Sequence, residues 1–258
     1  MTTFPFTSAL VTGASSGIGE AMAELLGDAG IPTVVVARRD DRLQELAQRY
    51  PCIEVLAADL GSPAGLAAVA ARVADEALPI DLVVNNAGFG SSGHFFELDA
   101  DRLDAEVQLN VAALTRLSRA ALGAMVPRGR GYLLNVSSVA SFQPAPKLAV
   151  YAVTKAYVTS LTESLHEEAR GTGVHVTALC PGLTRTEFQS VSSSESYAGQ
   201  YPEFAWLEPA QVAKAGLDDV AKGKALSVPG VLYKGMVTAA GVTPRALARR
   251  LSSLVQRG

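Results

Sequence analysis

The chain has 258 residues and a formal net charge of −3, so it fits one large domain and offers no basic excess for a nucleic-acid partner. Its two cysteines, Cys52 and Cys180, and its three histidines, His94, His166 and His175, lack the spacing of a disulfide framework or a metal site, so we predict no metal. The first residues lack a signal-peptide pattern, and no apolar run approaches the roughly 20 residues that span a bilayer. We therefore expect a cytoplasmic protein without an integral membrane segment.

Short apolar runs rich in β-branched residues alternate along the chain with longer segments of helical period. The runs predict strands at residues 9–12, 33–37, 53–57, 82–85, 132–136, 174–179 and 225–228. The longer segments predict helices, among them residues 20–29, 42–49, 66–77, 112–125 and 150–169. Most strand runs are continuously apolar, which is typical of strands buried on both faces. The expected fold is α/β: one Rossmann-type, doubly wound domain over residues 1–258, with a mostly parallel seven-stranded sheet and helices on both faces.

A glycine-rich turn leads from the first predicted strand into the first predicted helix. Its spacing is Gly-x-x-x-Gly-x-Gly, which differs from the common Gly-x-Gly-x-x-Gly fingerprint. Glycines suit a tight turn and the close approach of backbone to a pyrophosphate, and the free N–H groups that open the helix favour an anion. The turn therefore predicts dinucleotide binding by six residues: Gly13, Ser15, Ser16, Gly17, Ile18 and Gly19.

Two arginines, Arg38 and Arg39, follow the second predicted strand, about twenty residues after the turn. In NAD-binding folds an acidic residue at this place bonds the ribose 2′-hydroxyl, whereas an arginine suits the 2′-phosphate of NADP. The pattern predicts NADP(H), with both arginines as cofactor ligands. In the alternative interpretation both are solvated and pair with Asp40 or Asp41 at the start of the next helix.

Tyr151 and Lys155 are four residues apart in a predicted helix, so they share one face about a turn apart. A nearby ammonium favours the phenolate and can bring the tyrosine pKa toward a range that is useful for acid–base catalysis. Ser138 follows a predicted strand, where an α/β sheet places its ligands. Ser137 would take its place only if the loop held an inserted residue.

In this order the motifs resemble the short-chain dehydrogenase/reductase family over essentially the whole chain. The matching segments are residues 12–19, 59–60, 85–88, Asn110, Ser138, Tyr151 with Lys155, and residues 181–182 followed by Thr186. The resemblance implies an NADP(H)-dependent oxidoreductase that moves a hydride between nicotinamide and a small-molecule carbonyl or alcohol. It makes Tyr151 the acid in reduction and the base in oxidation, and it places Ser138 on the substrate oxygen. Lys155 would lower the tyrosine pKa and hold the nicotinamide ribose, and Asn110 would support a proton-relay water or merely brace a helix.

The resemblance also implies further cofactor contacts. Asp59 is expected at the adenine with Leu60 beside it. The adenosine half would run along Asn86, Ala87 and Gly88, while Asn85 is expected to join strands. The nicotinamide would be bordered by Pro181, Gly182, Thr184 and Thr186, with Thr186 reaching the carboxamide.

Two segments depart from regular alternation. Residues 187–209 mix a serine cluster with aromatics and are predicted to be a substrate lid rather than a surface excursion. Residues 231–258 are predicted to be a helical extension, whose basic amphipathic part at 244–255 would pack on the domain or on a sister subunit, or touch an anionic membrane. The family resemblance implies a homodimer or homotetramer.

Two other functions are weighed against the dehydrogenase. A catalytically idle NADPH-binding sensor would have no need of the complete Asn110, Ser138, Tyr151 and Lys155 set. A nucleotide-sugar epimerase is disfavoured by the glycine spacing and the short C-terminal portion. The substrate is expected to be apolar, because several aromatics are candidates for a pocket: Phe89, Phe95, Phe142, Phe188 and Trp206.

Overall fold

The computed structural model describes residues 4–192 and 202–243. Within these residues seven strands, β1 to β7, form one sheet: Ala9–Thr12, Thr33–Ala37, Ile53–Ala57, Leu82–Asn85, Gly131–Val136, Val174–Leu179 and Leu226–Ser227. Every neighbouring pair is parallel, in the order β3-β2-β1-β4-β5-β6-β7. The expected doubly wound sheet is confirmed and is parallel throughout. Its order reverses between β1 and β4, which is where such sheets bind ligands beyond their carboxyl ends.

Helices cover both faces of the sheet. In chain order α1 to α9 are Gly17–Asp28, Asp40–Arg49, Pro63–Val73, Ala100–Val107, Leu114–Arg128, Ala149–Glu168, Phe188–Val191, Pro209–Ala221 and Val231–Val242. A π-helical turn, Gln108–Ala113, joins α4 to α5. Successive side chains of a strand face opposite sides, so Leu10 of β1 lies in one core with α3 and α5, and Val11 lies in the other with α1, α2 and α8.

The helix predicted at residues 66–77 ends earlier than expected, at Val73. The C-terminal extension contains α9, while the helix predicted at residues 244–255 lies outside the described residues. Of the helices described, none is both long and apolar enough to cross a membrane.

Tyr233 of α9 connects three distant parts of the chain. Its hydroxyl accepts a hydrogen bond from the Leu183 N–H at 3.1 Å and donates to the Ala205 carbonyl at 2.6 Å. Its ring is buried against Gly182, and a Cβ at that glycine would overlap the ring. One side chain therefore bonds a residue shortly before the predicted lid and a residue within it.

Candidate active site

The glycine-rich turn is tied to the end of β4. Gly13 has a φ of +67°, and a Cβ there would lie 2.7 Å from Asn86 Nδ2, so both conformation and space require glycine. The Asn86 amide donates to the carbonyls of Thr12 and Gly13 at 3.0 and 3.2 Å. α1 begins at Gly17 without a side-chain cap from Ser16, so the first-turn N–H groups remain available to a phosphate.

The two arginines after β2 have different surroundings. Arg39 donates to the Ser15 hydroxyl through Nε at 3.2 Å, to the Ser15 carbonyl through Nη2 at 3.0 Å, and pairs with Glu187 at 2.9 Å. Arg38 is exposed, with no hydrogen-bond or ion-pair partner among the described residues. Arg39 thus shapes the turn, and the Arg38 guanidinium is free to meet an anion.

Ser138, Tyr151 and Lys155 come together at the carboxyl end of β5. The Ser138 hydroxyl lies near enough to the Tyr151 hydroxyl to oppose the rise of its pKa. Ser138 Oγ also accepts from the Ala140 N–H at 3.1 Å, which leaves the serine proton available for donation. Lys155 Nζ donates to the Val136 carbonyl at 2.8 Å and lies 5.8 Å from the centre of the Tyr151 ring.

Ser137 does not take part in this cluster. Its hydroxyl bonds the Lys155 carbonyl at 2.8 Å and the Thr159 hydroxyl at 2.7 Å. These bonds attach α6 to the end of β5. The two adjacent serines therefore differ in role: Ser137 positions the helix, and Ser138 lies beside Tyr151.

Burial controls the titration of Tyr151 and Lys155. It raises the pKa of Tyr151 to about 12, opposed by the Ser138 hydrogen bond, and lowers the pKa of Lys155 to about 8. Lys155 is not among the causes that shift the tyrosine pKa. The Lys155 ammonium is bonded to the Val136 carbonyl, and the lowering of the tyrosine pKa by this lysine stays a prediction.

Asn110 lies in the π-helical turn and is buried. Its Nδ2 donates to the Phe89 carbonyl at 2.8 Å and to Thr154 Oγ1 at 3.2 Å, and its Oδ1 accepts from the Phe89 N–H at 3.1 Å. A π-turn inside a helix often marks a functional site. Here it brings the amide against both the loop after β4 and the catalytic helix α6.

The residues predicted at the adenosine half line the same edge of the sheet. Asp59 is exposed and its carboxylate accepts from the Gly61 N–H at 2.9 Å, whereas the Leu60 side chain is buried in the core. Only the Leu60 backbone is therefore left for adenine. Ala87 packs on that core, and a Cβ at Gly88 would lie 2.8 Å from Asn110 Oδ1 and 3.5 Å from Lys155 Nζ.

The predicted nicotinamide side follows β6. The Pro181 carbonyl accepts from the Val139 N–H at 3.0 Å, which joins this segment to the loop that carries Ser138. Thr184 is buried and donates to the Gly182 carbonyl at 3.0 Å. A Cβ at Gly17 would touch the Thr186 methyl, so Thr186 lies against the start of α1.

The first part of the predicted lid covers Tyr151. The Phe188 and Tyr151 ring centroids are 5.2 Å apart. Arg102 donates to the Val191 carbonyl at 2.6 Å, and the Ser192 carbonyl accepts from the backbone of the loop after β4 at 3.1 Å. Residues 193–201 of the predicted lid lie outside the described residues.

The model of the short chain dehydrogenase family matches residues 7–196. The chain belongs to the short-chain dehydrogenase family. An uncharacterized oxidoreductase of Staphylococcus epidermidis is 36% identical over 179 residues, which cover 69% of this chain and 78% of the relative.

Solved short-chain dehydrogenases share the whole architecture. One from Sphingobium yanoikuyae, in complex with NADPH, has a TM-score of 0.81 and 33% identity and covers 93% of this chain and 97% of its own. The bulky-bulky ketone specific alcohol dehydrogenase from Comamonas testosteroni has a TM-score of 0.77 and 31% identity, over 93% of this chain and 96% of its own.

No sequence motif predicts several of the residues that surround the site of this short-chain dehydrogenase. Glu187 pairs with Arg39, Arg102 donates to the Val191 carbonyl, and Tyr233 bonds Leu183 and Ala205. Only Phe188 carried a signal, as one of the aromatics predicted for an apolar pocket. The contacts of the other three join residues far apart in sequence, so no local pattern could have found them.

Gly182→Ala is expected to destabilise this short-chain dehydrogenase by about 1–3 kcal/mol, because the new methyl overlaps the Tyr233 ring and disturbs its bonds to Leu183 and Ala205. Urea unfolding measures the loss. The control is Gly235→Ala in α9, which meets nothing within 4 Å and should gain roughly 0.5–1 kcal/mol through helix propensity. Equal stability of the two variants would contradict the tight packing at Gly182.

Proposed function

We propose that this protein is an NADP(H)-dependent oxidoreductase that interconverts an apolar ketone or aldehyde and the corresponding alcohol. The observation that carries the proposal is that Ser138, Tyr151 and Lys155 meet at the carboxyl end of β5, with Lys155 one turn from Tyr151 along α6. The group lies at the edge of the sheet where the glycine-rich turn opens, so a hydride carrier and a proton carrier would meet there.

The residues at the turn fit a dinucleotide with a 2′-phosphate. Gly13 clears the backbone for a pyrophosphate, and the uncapped start of α1 presents N–H groups to it. The free guanidinium of Arg38 supplies the donors that a 2′-phosphate needs. The NADPH complex of the Sphingobium yanoikuyae relative supports the same assignment.

The mechanism follows from where the protons are held. When bound, the nicotinamide supplies the hydride for reduction of the carbonyl carbon. Ser138, whose oxygen accepts from the Ala140 N–H, donates a hydrogen bond to the substrate oxygen and keeps its proton. Tyr151 is protonated at neutral pH because burial raises its pKa to about 12, so its hydroxyl can deliver the proton that completes the alcohol. We assign Lys155 to the nicotinamide ribose and Asn110, with its amide fixed between Phe89 and Thr154, to the support of a proton-relay water.

The substrate is proposed to be bulky and apolar. The Phe188 ring covers Tyr151, so a carbonyl that reaches the tyrosine hydroxyl passes an aromatic surface. The specificity that the name of the Comamonas testosteroni enzyme gives, for bulky-bulky ketones, agrees with that surface.

A panel of carbonyl compounds, followed by the loss of NADPH absorbance, tests the function. We expect turnover of ketones with two apolar substituents and little turnover of small polar ones. NADPH binding without turnover of any compound in either direction would favour the idle sensor instead.

Ser138→Ala is expected to lower kcat by roughly 10²-fold, since it removes a donor to the oxygen on which charge develops. Ser137→Ala is the matched control at the neighbouring position, because its hydroxyl is used to fasten α6 and does not face Tyr151. Steady-state kinetics on both variants decide the point. A larger loss of kcat in Ser137→Ala, with the fold intact, would reverse the assignment.

We further propose a cytoplasmic homodimer or homotetramer. Support comes from exposed apolar side chains on α4 and α6: Val107, Val153 and Tyr157 are 44%, 69% and 40% exposed. Such side chains suit a contact between copies. Light scattering coupled to size exclusion measures the mass in solution.

A further inference from the structure

Glu106 of α4 is a buried carboxyl with no assigned role. Its relative exposure is 0%, and neither carboxyl oxygen has a hydrogen-bond partner among the described residues. The buried Ser91 hydroxyl lies beside it without completing a hydrogen bond. A charged group in such a place lowers the stability of the fold unless a neighbouring charge or dipole stabilises it.

The position of Glu106 is set by a row of polar residues along α4 and the π-helical turn. Arg102, Glu106 and Asn110 are each four residues apart, so they share one face. That face lies on the loop after β4: Arg102 donates to the Gly90 carbonyl at 3.1 Å, and Asn110 bonds the Phe89 backbone. Because α4 also packs against α6, the middle member of the row is directed toward the catalytic helix.

The charges around this carboxyl connect it to the catalytic pair. Burial raises the pKa of Glu106, opposed by the Ser91 hydroxyl, by Arg102 on its own helix and by Lys155 on α6. In turn, Glu106 raises the pKa of both Tyr151 and Lys155.

Lys155 has few other sources of negative charge. The remaining ionisable group that affects it is the Cys180 thiol at the end of β6. Burial raises the pKa of that thiol to about 11, so it is neutral in the range where an enzyme works. Among the described residues Glu106 is therefore the carboxylate whose charge acts on the buried ammonium.

We propose that Glu106 is a positioning residue of the active site: its buried carboxylate keeps Lys155 protonated and so sets the pH range over which Tyr151 exchanges its proton. The proposal rests on the dehydrogenase function proposed above. Glu106 touches no substrate atom in this role. It acts through Lys155, which burial alone would push toward the neutral amine.

The test is the pH profile of Glu106→Gln, which keeps the shape of the side chain and removes its charge. Loss of the negative charge lowers the pKa of Tyr151 and Lys155 together. Ketone reduction, which needs protonated Tyr151, should then fail at a pH lower by at least about 0.5 unit. Alcohol oxidation, which needs the deprotonated tyrosine, should begin at a correspondingly lower pH.

Two variants serve as controls. Asp104→Asn removes a charge from the exposed side of the same helix and should leave both profiles in place, since water screens that carboxylate. Glu106→Asp keeps the charge and should restore most of the wild-type profile. If Glu106→Gln fails to fold, Glu106→Met, which has no polar group to bury, gives the same comparison.

Thermal unfolding supplies a readout that does not depend on turnover. A carboxyl with a raised pKa in the folded protein stabilises it below the unfolded pKa near 4.5, and that contribution is lost as pH rises through the folded pKa. The Tm of the wild type relative to Glu106→Gln should therefore fall as pH increases from about 4.5 toward neutrality.

The outcomes separate the two proposals. An active wild type whose profile is unmoved in Glu106→Gln overturns the role of Glu106 and leaves the dehydrogenase function intact. A wild type without turnover overturns the function, and the role of Glu106 as a positioning residue fails with it. A Tm difference that keeps falling with pH beyond neutrality, without levelling off, means that the carboxyl stays protonated in the folded protein, which also overturns the inference.

Discussion

Tyr151→Phe is expected to remove most turnover, by about 10²–10⁴-fold in kcat, while the fold and the affinity for NADPH stay nearly unchanged. The phenol is the proposed proton carrier of the site and lies beside Ser138, whereas its ring packs on Phe188 and keeps that contact in the variant. Measurement of kcat together with the Kd for NADPH separates loss of chemistry from loss of binding.

Tyr157→Phe is the matched control for this variant. It lies on the same helix, and its hydroxyl bonds Thr115 at 2.9 Å on the outer side, so its removal should leave kcat within about twofold, as for an exposed polar group far from the site. Wild-type turnover in Tyr151→Phe would end the proposed acid–base assignment, because the variant lacks the hydroxyl to which the proton is assigned.

Arg38→Asp is expected to weaken the use of NADPH and to raise the relative use of NADH. Charge-assisted hydrogen bonds to a phosphate contribute about 1.5–3 kcal/mol, which corresponds to a roughly ten- to hundredfold preference. Arg38 is exposed, so solvent reduces this figure, but the substituted carboxylate also repels the phosphate. The ratio of kcat/KM for the two cofactors is the quantity to measure.

The control is Arg170→Asp, which makes the same change in net charge on an exposed residue paired only with Glu167 at the far end of α6. Its cofactor ratio should equal that of the wild type. Arg39→Asp carries a different expectation: it also breaks the bonds to Ser15 and should disturb both cofactors. A wild type that prefers NADH, or an Arg38→Asp ratio that does not move, would refute the assignment to NADP(H).

The strands were predictable from the sequence because each is a short apolar run between polar turns. β1 to β4 and β6 have the predicted bounds, and β5 begins one residue earlier, at Gly131. β1, β2, β4, β5 and β6 are buried at nearly every position, so both faces of these strands require the apolar residues that the sequence shows. β3, at one edge, is only partly buried. β7, at the other edge, is shorter than predicted, with two residues, Leu226–Ser227.

The helix α4 was less visible, since only Glu106 of its eight residues is buried and that residue is acidic. An amphipathic helix is recognised by apolar residues on its buried face, whereas the buried residue of α4 is a glutamate. The candidate catalytic residues were predicted from the order of their motifs, and the structure brings Ser138, Tyr151 and Lys155 together at the end of β5. The roles of Arg39 and Tyr233 were not found, because each depends on a partner about 24 to 50 residues away whose position only the folded chain defines.

Tyr233 joins the residues that the family model matches to a helix beyond them. The glycine-rich turn, Ser138 and Tyr151 all lie within residues 7–196, whereas Tyr233 lies outside that range. Through the bonds of Tyr233 to Leu183 and Ala205, α9 is attached near the segment whose first part lies over Tyr151. We therefore expect substitutions in α9 to change which substrates are accepted more than they change hydride and proton transfer at the edge of the sheet.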